Sequence, residues 1–424
     1  MLKLFQSMLS RREISGLPIS LLFAGGAKSA FAAKKPRVAT VVTEYRRSSH
    51  ADVIVGRILE GYFYEKRRTP RLEVVSMYTV QVPENDMSRN LAEKHGFTIF
   101  PTVREALLMG GDDLAVDGVV FVGEHGNYPW NIKGQKLYPR WYLFKQIIDV
   151  FRETGSVVPI FSDKHLSFDW DEAKWMYDQS LELNFPLMAG SSLPLAWRHP
   201  ELELDIGTPV EKAVVSFAGN KEAYGFHALE SLQCMVERRR GNETGIAAVQ
   251  CLEGAEVWKW TDANQWAKRM LDEAINRCPG RKKGSPRDNV KKPIVFIIEY
   301  RDGLQAAVYL LSGHVGAEQT GFAAEVKGKN SLVSAMIKIQ FKRPNGNFSP
   351  LVYHIEEMIL NGKASYPVER TLLTTGTLAA LMNSSFYKRR IKAPHLDIAY
   401  HAQKESLFIR GPEPEAEKNF GIGP

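Results

Sequence analysis

Apolar positions follow two rhythms along this chain. From Lys34 to about Leu195, short apolar runs alternate with segments whose apolar residues recur at helical spacing, which predicts a parallel sheet covered on both faces. The predicted strands are Val38 to Val42, Leu72 to Ser76, Gly118 to Val122, Val157 to Phe161 and Pro186 to Ala189. Ile54, Val55, Ile58, Leu59 and Tyr62 form one helical stripe between the first two strands; Ala173, Met176, Tyr177 and Leu181 form another between the last two. Beyond Trp197 the strands read as antiparallel: Ala213 to Phe217, Ile294 to Tyr300, Gln305 to Leu311, Gly321 to Val326 and Ala335 to Phe341. Helices are predicted at His227 to Arg239, Asp262 to Asn276, Tyr353 to Leu360 and Val368 to Ser384. A large open, mainly antiparallel sheet with helices on one face packs that series naturally.

The domain division that follows is 33–195 for the α/β half, 196–410 for the α+β half and a loosely held tail over 411–424. At 424 residues, 44% hydrophobic and 24% charged, the chain is long enough for a core in each half and fits no disordered or collagen-like class. The N-terminus is separate. Ser10-Arg-Arg-Glu-Ile-Ser15, a weakly apolar stretch from Gly16 to Phe23 and Ala30-Phe-Ala32 outline a twin-arginine export signal over 1–32, and hence a periplasmic location. An N-terminal arm with two chance arginines is the alternative. The apolar run is too short, and too broken by Gly25, Gly26 and Lys28, to insert into a membrane.

Charge adds little. Lys3, Arg11, Arg12 and Lys28 outweigh Glu13 in the signal segment, so cleavage removes much of the formal +7. Much of the rest sits in the Pro/Gly-punctuated loop 279–293, where no aromatic residues interleave the basic ones, so no nucleic-acid partner is expected. Cys234, Cys251 and Cys278 lack metal-type spacing and read as buried thiols, with a disulfide between two of them left open.

A set of segments, in order, carries a family resemblance. They are Pro83-Glu-Asn-Asp-Met-Ser-Arg-Asn-Leu-Ala-Glu-Lys-His-Gly96 with Phe100-Pro-Thr-Val-Arg-Glu-Ala-Leu107, then Asp117-Gly-Val-Val-Phe-Val122, Ser162-Asp-Lys-His165, Asp171-Glu-Ala-Lys, Phe185-Pro-Leu-Met-Ala-Gly190 and the run from Leu351 to Tyr400. Together they resemble the Gfo/Idh/MocA family (glucose-fructose oxidoreductase, inositol dehydrogenase and MocA), NAD(P)-dependent enzymes acting on sugars and cyclitols. The resemblance implies a Rossmann-like doubly wound parallel sheet followed by the open-sheet domain, an NAD or NADP cofactor, a small carbohydrate or cyclitol substrate, and a homo-oligomer formed through the open sheet.

The resemblance also implies site residues. Lys164 matches the lysine of the family's Glu-Lys-Pro, with His165 in the proline position, and Tyr224-Gly-Phe-His227 matches the segment bearing its histidine; the preceding aspartate position falls on Ala223. Glu230 lies one helical turn after His227. Lys164 donating to a substrate oxygen, and His227 exchanging its proton, suit oxidation of a secondary alcohol. Lys164 also reads as a surface lysine in a strand-to-helix loop, and His227 as a capping or core histidine. Around the cofactor the chain departs from the pattern. The first strand runs into Thr43-Glu-Tyr-Arg-Arg-Ser-Ser-His-Ala51 with no glycine, and the second ends in Ser76-Met-Tyr-Thr79 without the acid that holds ribose hydroxyls. Candidate cofactor contacts are therefore Thr43, Arg46, Arg47, Tyr78, Glu124 and His125, the arginines either gripping phosphate or lying plainly on the surface. In the loop after the third strand, Tyr128 and Trp130 are candidate sugar-stacking residues, with His165 as a further substrate contact. Glu124, His125, His165, His227 and Glu230 lack ligand spacing, so no metal is expected. These departures keep open non-redox carbohydrate chemistry, of lyase or hydratase type, and plain carbohydrate binding.

Overall fold

The computed structural model describes residues 34–413. The export segment over 1–32 and the tail from 414 lie outside the described residues. The first half runs β1 (Arg37–Glu44), α1 (His50–Glu60), β2 (Glu73–Gln81), α2 (Ser88–His95), β3 (Thr98–Ile99), α3 (Val103–Leu108), β4 (Gly118–Val122), α4 (Arg140–Thr154), β5 (Ile160–Asp163), α5 (Trp170–Glu182) and β6 (Leu187–Gly190). These strands form one parallel sheet in the order β3-β2-β1-β4-β5-β6, the doubly wound pattern expected. Central strands of such a sheet are covered on both faces, hence the unbroken burial of Val38 to Glu44 and of all of β4.

The second half adds β7 (Trp197–His199), β8 (Val210–Phe217), α6 (Ala223–Val236), β9 (Ile246–Glu253), α7 (Ala255–Ala263), α8 (Gln265–Asn276), β10 (Ile294–Tyr300), β11 (Gln305–Leu310), β12 (Gln319–Val326), β13 (Val333–Lys338), α9 (Phe348–Asn361), α10 (Glu369–Tyr387) and β14 (Ile391–Lys392). Its sheet has the order β14-β9-β10-β11-β8-β12-β13-β7, antiparallel except for the parallel pair β8 and β11.

Helices cover more of this sheet than the sequence suggested. Val215, Phe217, Phe296, Ile298 and Val308 pack with Phe226 and Leu229 of α6 and Leu378 of α10. The alternate positions Val214, Val295, Ala307 and Tyr309 pack with Met270, Leu271, Ala274 and Ile275 of α8 on the opposite face. Expecting helices on one face alone was therefore incomplete; α8 is the most strongly amphipathic helix of this half and needs a surface to bury its stripe. The helix α9 also crosses back: Leu351, Val352, Ile355 and Met358 join the core of Val38, Val42, Ile54 and Ile58 in the first half. Gly118 permits that approach, since a Cβ there would lie 2.9 Å from the Ile359 side chain.

The second strand lies further along the chain than predicted, which puts Tyr78 inside β2 and opposite Val41. The strand β9 was not predicted, its sequence being small and polar residues among few large apolar ones. All three cysteines are free and buried. Among the described residues no helix is long and apolar enough to cross a membrane.

Candidate active site

The order of the first sheet reverses between β1 and β4, and the carboxyl ends of β1, β4 and β5 meet there. A cavity of about 300 Å³ lies at that point, lined by Ser48 and His50 at the start of α1, Glu124 and His125 after β4, Lys164 after β5 and His227 in α6. The segment from Ile339 to Phe348 closes its far side. Arg343 bonds Asp52 of α1 at 2.7 Å, Arg57 donates to the carbonyls of Pro344 and Asn345, and Asn347 donates to Ser192 at 2.9 Å, so this wall is tied to the first half. A second cavity of about 580 Å³ lies between Phe63, Tyr353 and Phe408, but it holds none of this charged cluster.

Lys164 and His227 face each other in the smaller cavity, with Nζ 2.7 Å from Nε2. Lys164 is 4% exposed and takes a left-handed φ of +67°, a conformation costly for a residue with a Cβ. Its backbone N–H donates to the Gly190 carbonyl at 3.0 Å, which turns the chain so that the side chain enters the cavity. Glu124 Oε1 lies 3.6 Å from the ammonium, and its other oxygen pairs with Arg140. Burial alone would raise the Glu124 carboxyl; Lys164 and Arg140 overcome this and hold it well below the usual carboxylate range. Burial, reinforced by the Lys164 charge, holds the His227 imidazole well below its ordinary value and so neutral. Its Nδ1 is buried without a partner.

Beside this pair lies a cluster the sequence reading missed. His50 Nδ1 is 2.6 Å from Oδ2 of Asp163, a carboxylate with no exposed surface. The His50 ring packs edge-on against His125 at 5.3 Å and Phe348 at 5.2 Å. Burial is the main cause that lowers His125 to about 3. The signal for Asp163 was present, an acid directly before Lys164 where the family has Glu; His50 at the start of α1 carried none by itself.

The remaining candidates separate. Glu230 does not join Lys164 and His227. Its carboxylate accepts from the Ser191 N–H at 2.8 Å and the Thr371 hydroxyl at 3.1 Å, a buried tie between α6, α10 and the end of β6. Gly190 is required beside it: φ is +117° and a Cβ would come within 2.8 Å of Glu230. His165 turns the other way, 3.0 Å from Arg140 and 3.6 Å from Glu222, away from the cavity lining. Burial holds His165 well below its ordinary value, so the Glu222 contact is not an ion pair. Thr43 positions Glu124 by donating to its carbonyl at 2.7 Å. Arg46 pairs with Glu44 and reaches His125 at 3.4 Å, while Arg47 is exposed. Tyr78 is a half-buried strand residue; Tyr128 packs on Tyr138 at 5.5 Å, and Trp130 is 55% exposed on a hairpin with Lys136. None of these three lines the cavity. Gln81, the last residue of β2, is engaged in two bonds with Asn127, so the strand end offers a ribose no carboxylate.

For a nicotinamide dinucleotide the turn after β1 provides no glycine for close backbone approach, and Tyr45 fills it with a fully buried side chain. The donors that remain for a diphosphate are the first backbone N–H groups of α1 and Arg46, which is paired with Glu44. The N-terminus of α1 opens into the cavity through Ser48 and His50, and Arg46 stands beside His125.

No family model and no curated protein matches this chain. Solved structures do. GenD2 from gentamicin A biosynthesis, in complex with NAD, is similar at a TM-score of 0.55 and 14% identity, over 85% of this chain and 96% of that one. A putative myo-inositol dehydrogenase from Sinorhizobium meliloti 1021 gives 0.53 and 12% over 84% and 99%. An oxidoreductase from Agrobacterium radiobacter in complex with NAD+, L-tartaric acid and magnesium gives 0.51 and 12% over 85% and 98%. The chain therefore has the two-domain fold of these proteins, a Rossmann-like parallel sheet joined to an open, mainly antiparallel one, as the resemblance to the Gfo/Idh/MocA family implies.

Proposed function

We propose that the protein is an oxidoreductase acting on a secondary alcohol of a sugar or cyclitol, with NAD or NADP held at the switch point of the first sheet. The observation that carries this reading is the 2.7 Å contact between Lys164 and His227 in a cavity at the carboxyl ends of β1, β4 and β5. The similar structures crystallised with NAD support the cofactor class. When bound, a nicotinamide supplies the hydride acceptor. The N-terminus of α1 would hold its phosphates, with Arg46 joining once it leaves Glu44.

The chain's own groups have distinct tasks. Lys164 donates a hydrogen bond to the substrate oxygen and stabilises negative charge there, at a site where burial makes that charge–dipole contact strong. Glu124, itself paired with Arg140, keeps the ammonium in place. His227 accepts from Lys164 and so helps hold the ammonium toward the cavity. A cavity of about 300 Å³ suits a small polyol. Export by the twin-arginine route, which carries folded proteins, is part of the same reading.

The test is to titrate the purified mature protein with NAD and NADP by nicotinamide fluorescence, then to assay a panel of cyclitols and sugars by nicotinamide absorbance. Saturable binding of one dinucleotide and turnover of a polyol are expected. Absence of binding by either overturns the redox reading and leaves the cavity to non-redox carbohydrate chemistry.

A further inference from the structure

Oxidation of an alcohol needs a group that takes the hydroxyl proton, and the Lys164–His227 pair has no vacant acceptor. Lys164 donates to Nε2 of His227, so the proton of this neutral imidazole sits on Nδ1, a donor without a partner. Glu124 lines the cavity, but its ion pairs with Arg140 and Lys164 make it a weak base. His125 is half-buried with Nδ1 near the Arg46 guanidinium and is weaker as a base than a free imidazole.

His50 differs from all of these. Its Nδ1 faces Asp163 Oδ2 at 2.6 Å, and a carboxylate only accepts, so Nδ1 carries a proton and Nε2 is the nitrogen left to take one up from the cavity. Asp163 and Lys164 are consecutive at the end of β5, where the left-handed turn at Lys164 sends them apart. One thus orients His50 and the other engages His227, and both imidazoles line the same cavity.

We propose that His50, oriented by Asp163, is the base that removes the proton from the substrate hydroxyl held by Lys164. This rests on the redox reading above. The O–H bond breaks, its electron pair stays on the oxygen facing Lys164, and the proton passes to Nε2 of His50. The imidazolium so formed is offset by the buried Asp163 carboxylate. In this assignment His50 is a catalytic residue and Asp163 a positioning residue.

Two measurements test the proposal. In long-range ¹⁵N spectra of ¹⁵N-histidine-labelled protein, assigned by loss of a signal in His50→Gln, His50 should be protonated on Nδ1. Asp163→Ala should shift that ring toward the Nε2-protonated form. A wild-type His50 protonated on Nε2 overturns the proposal. In the polyol assay, His50→Gln should lower kcat about 100-fold, the usual scale of general-base loss, with KM and dinucleotide Kd within about threefold of wild type. An unchanged kcat, or a loss confined to Kd, overturns it as well. If no polyol is turned over, the redox reading fails and this assignment falls with it; the tautomer result then separates that failure from a wrong placement of the His50 proton.

Discussion

Glu222 offers a quantitative test of the electrostatics around the site. It precedes α6, is 3% exposed, and has one carboxylate oxygen buried without a hydrogen-bond partner. Burial is the main cause that pushes its titration up from the ordinary 4.5 to about 7; Glu124 adds to the rise, while Arg140 and Lys164 oppose it. The native state then holds a proton that the unfolded chain releases between pH 4.5 and 7, so stability falls as pH rises through that window. The cost above pH 7 is about 3 kcal/mol, an upper figure for a group this buried. Glu222→Gln keeps the shape and removes the ionisation. Urea unfolding should show the variant and wild type equal near pH 4.5, with the variant more stable by up to about 3 kcal/mol at pH 8. A difference that does not change with pH, or a variant less stable at pH 8, would refute the reasoning.

The buried imidazoles act with the opposite sign. His165, His227 and His125 are all lowered by burial, so below about pH 6.5 the unfolded chain takes up protons that the native state refuses, and stability falls as pH drops. In the Glu222→Gln background the urea midpoint should fall between pH 7 and pH 5; a flat midpoint would contradict this. Glu230→Ala leaves the Ser191 N–H and hydroxyl without their buried acceptor and should cost about 3 kcal/mol, with turnover per folded molecule largely kept. A normal unfolding midpoint with lost turnover would instead place Glu230 in the chemistry. Arg11→Lys together with Arg12→Lys should hold the chain in the cytoplasm, and the exported form should begin near Ala33; secretion unaffected by the pair would remove the twin-arginine reading.

Much of the scaffold was readable because burial patterns differ by layer. The unbroken apolar runs around Val38 and Gly118 announced central parallel strands, and the stripe from Ile54 to Ile58 announced the helix between them. The strand Ile246–Glu253 was hidden because Ala247, Ala248 and Gln250 carry little apolar signal. Two-sided cover of the second sheet was missed because the alternate rows of β8 and β11 are both apolar and do not say which helix fills which face. Within the site, Lys164, His227, Glu124 and His125 were found and do line one cavity. Glu230 was misplaced because helical spacing fixes the turn a residue sits on but not the partners waiting for it on α10. His50 and Asp163 escaped because their pairing spans 113 positions and depends on the packing of α1 beside β5.

Lys164 meets a substrate oxygen beside a bound nicotinamide in the proposed reaction, and comparing Lys164→Met with wild type tests this most directly. Wild type should accumulate reduced nicotinamide with at least one cyclitol or sugar, while the variant binds the dinucleotide with similar affinity and loses at least 100-fold in kcat. Equal turnover by the two proteins would contradict the account, and so would a wild-type protein that binds neither dinucleotide.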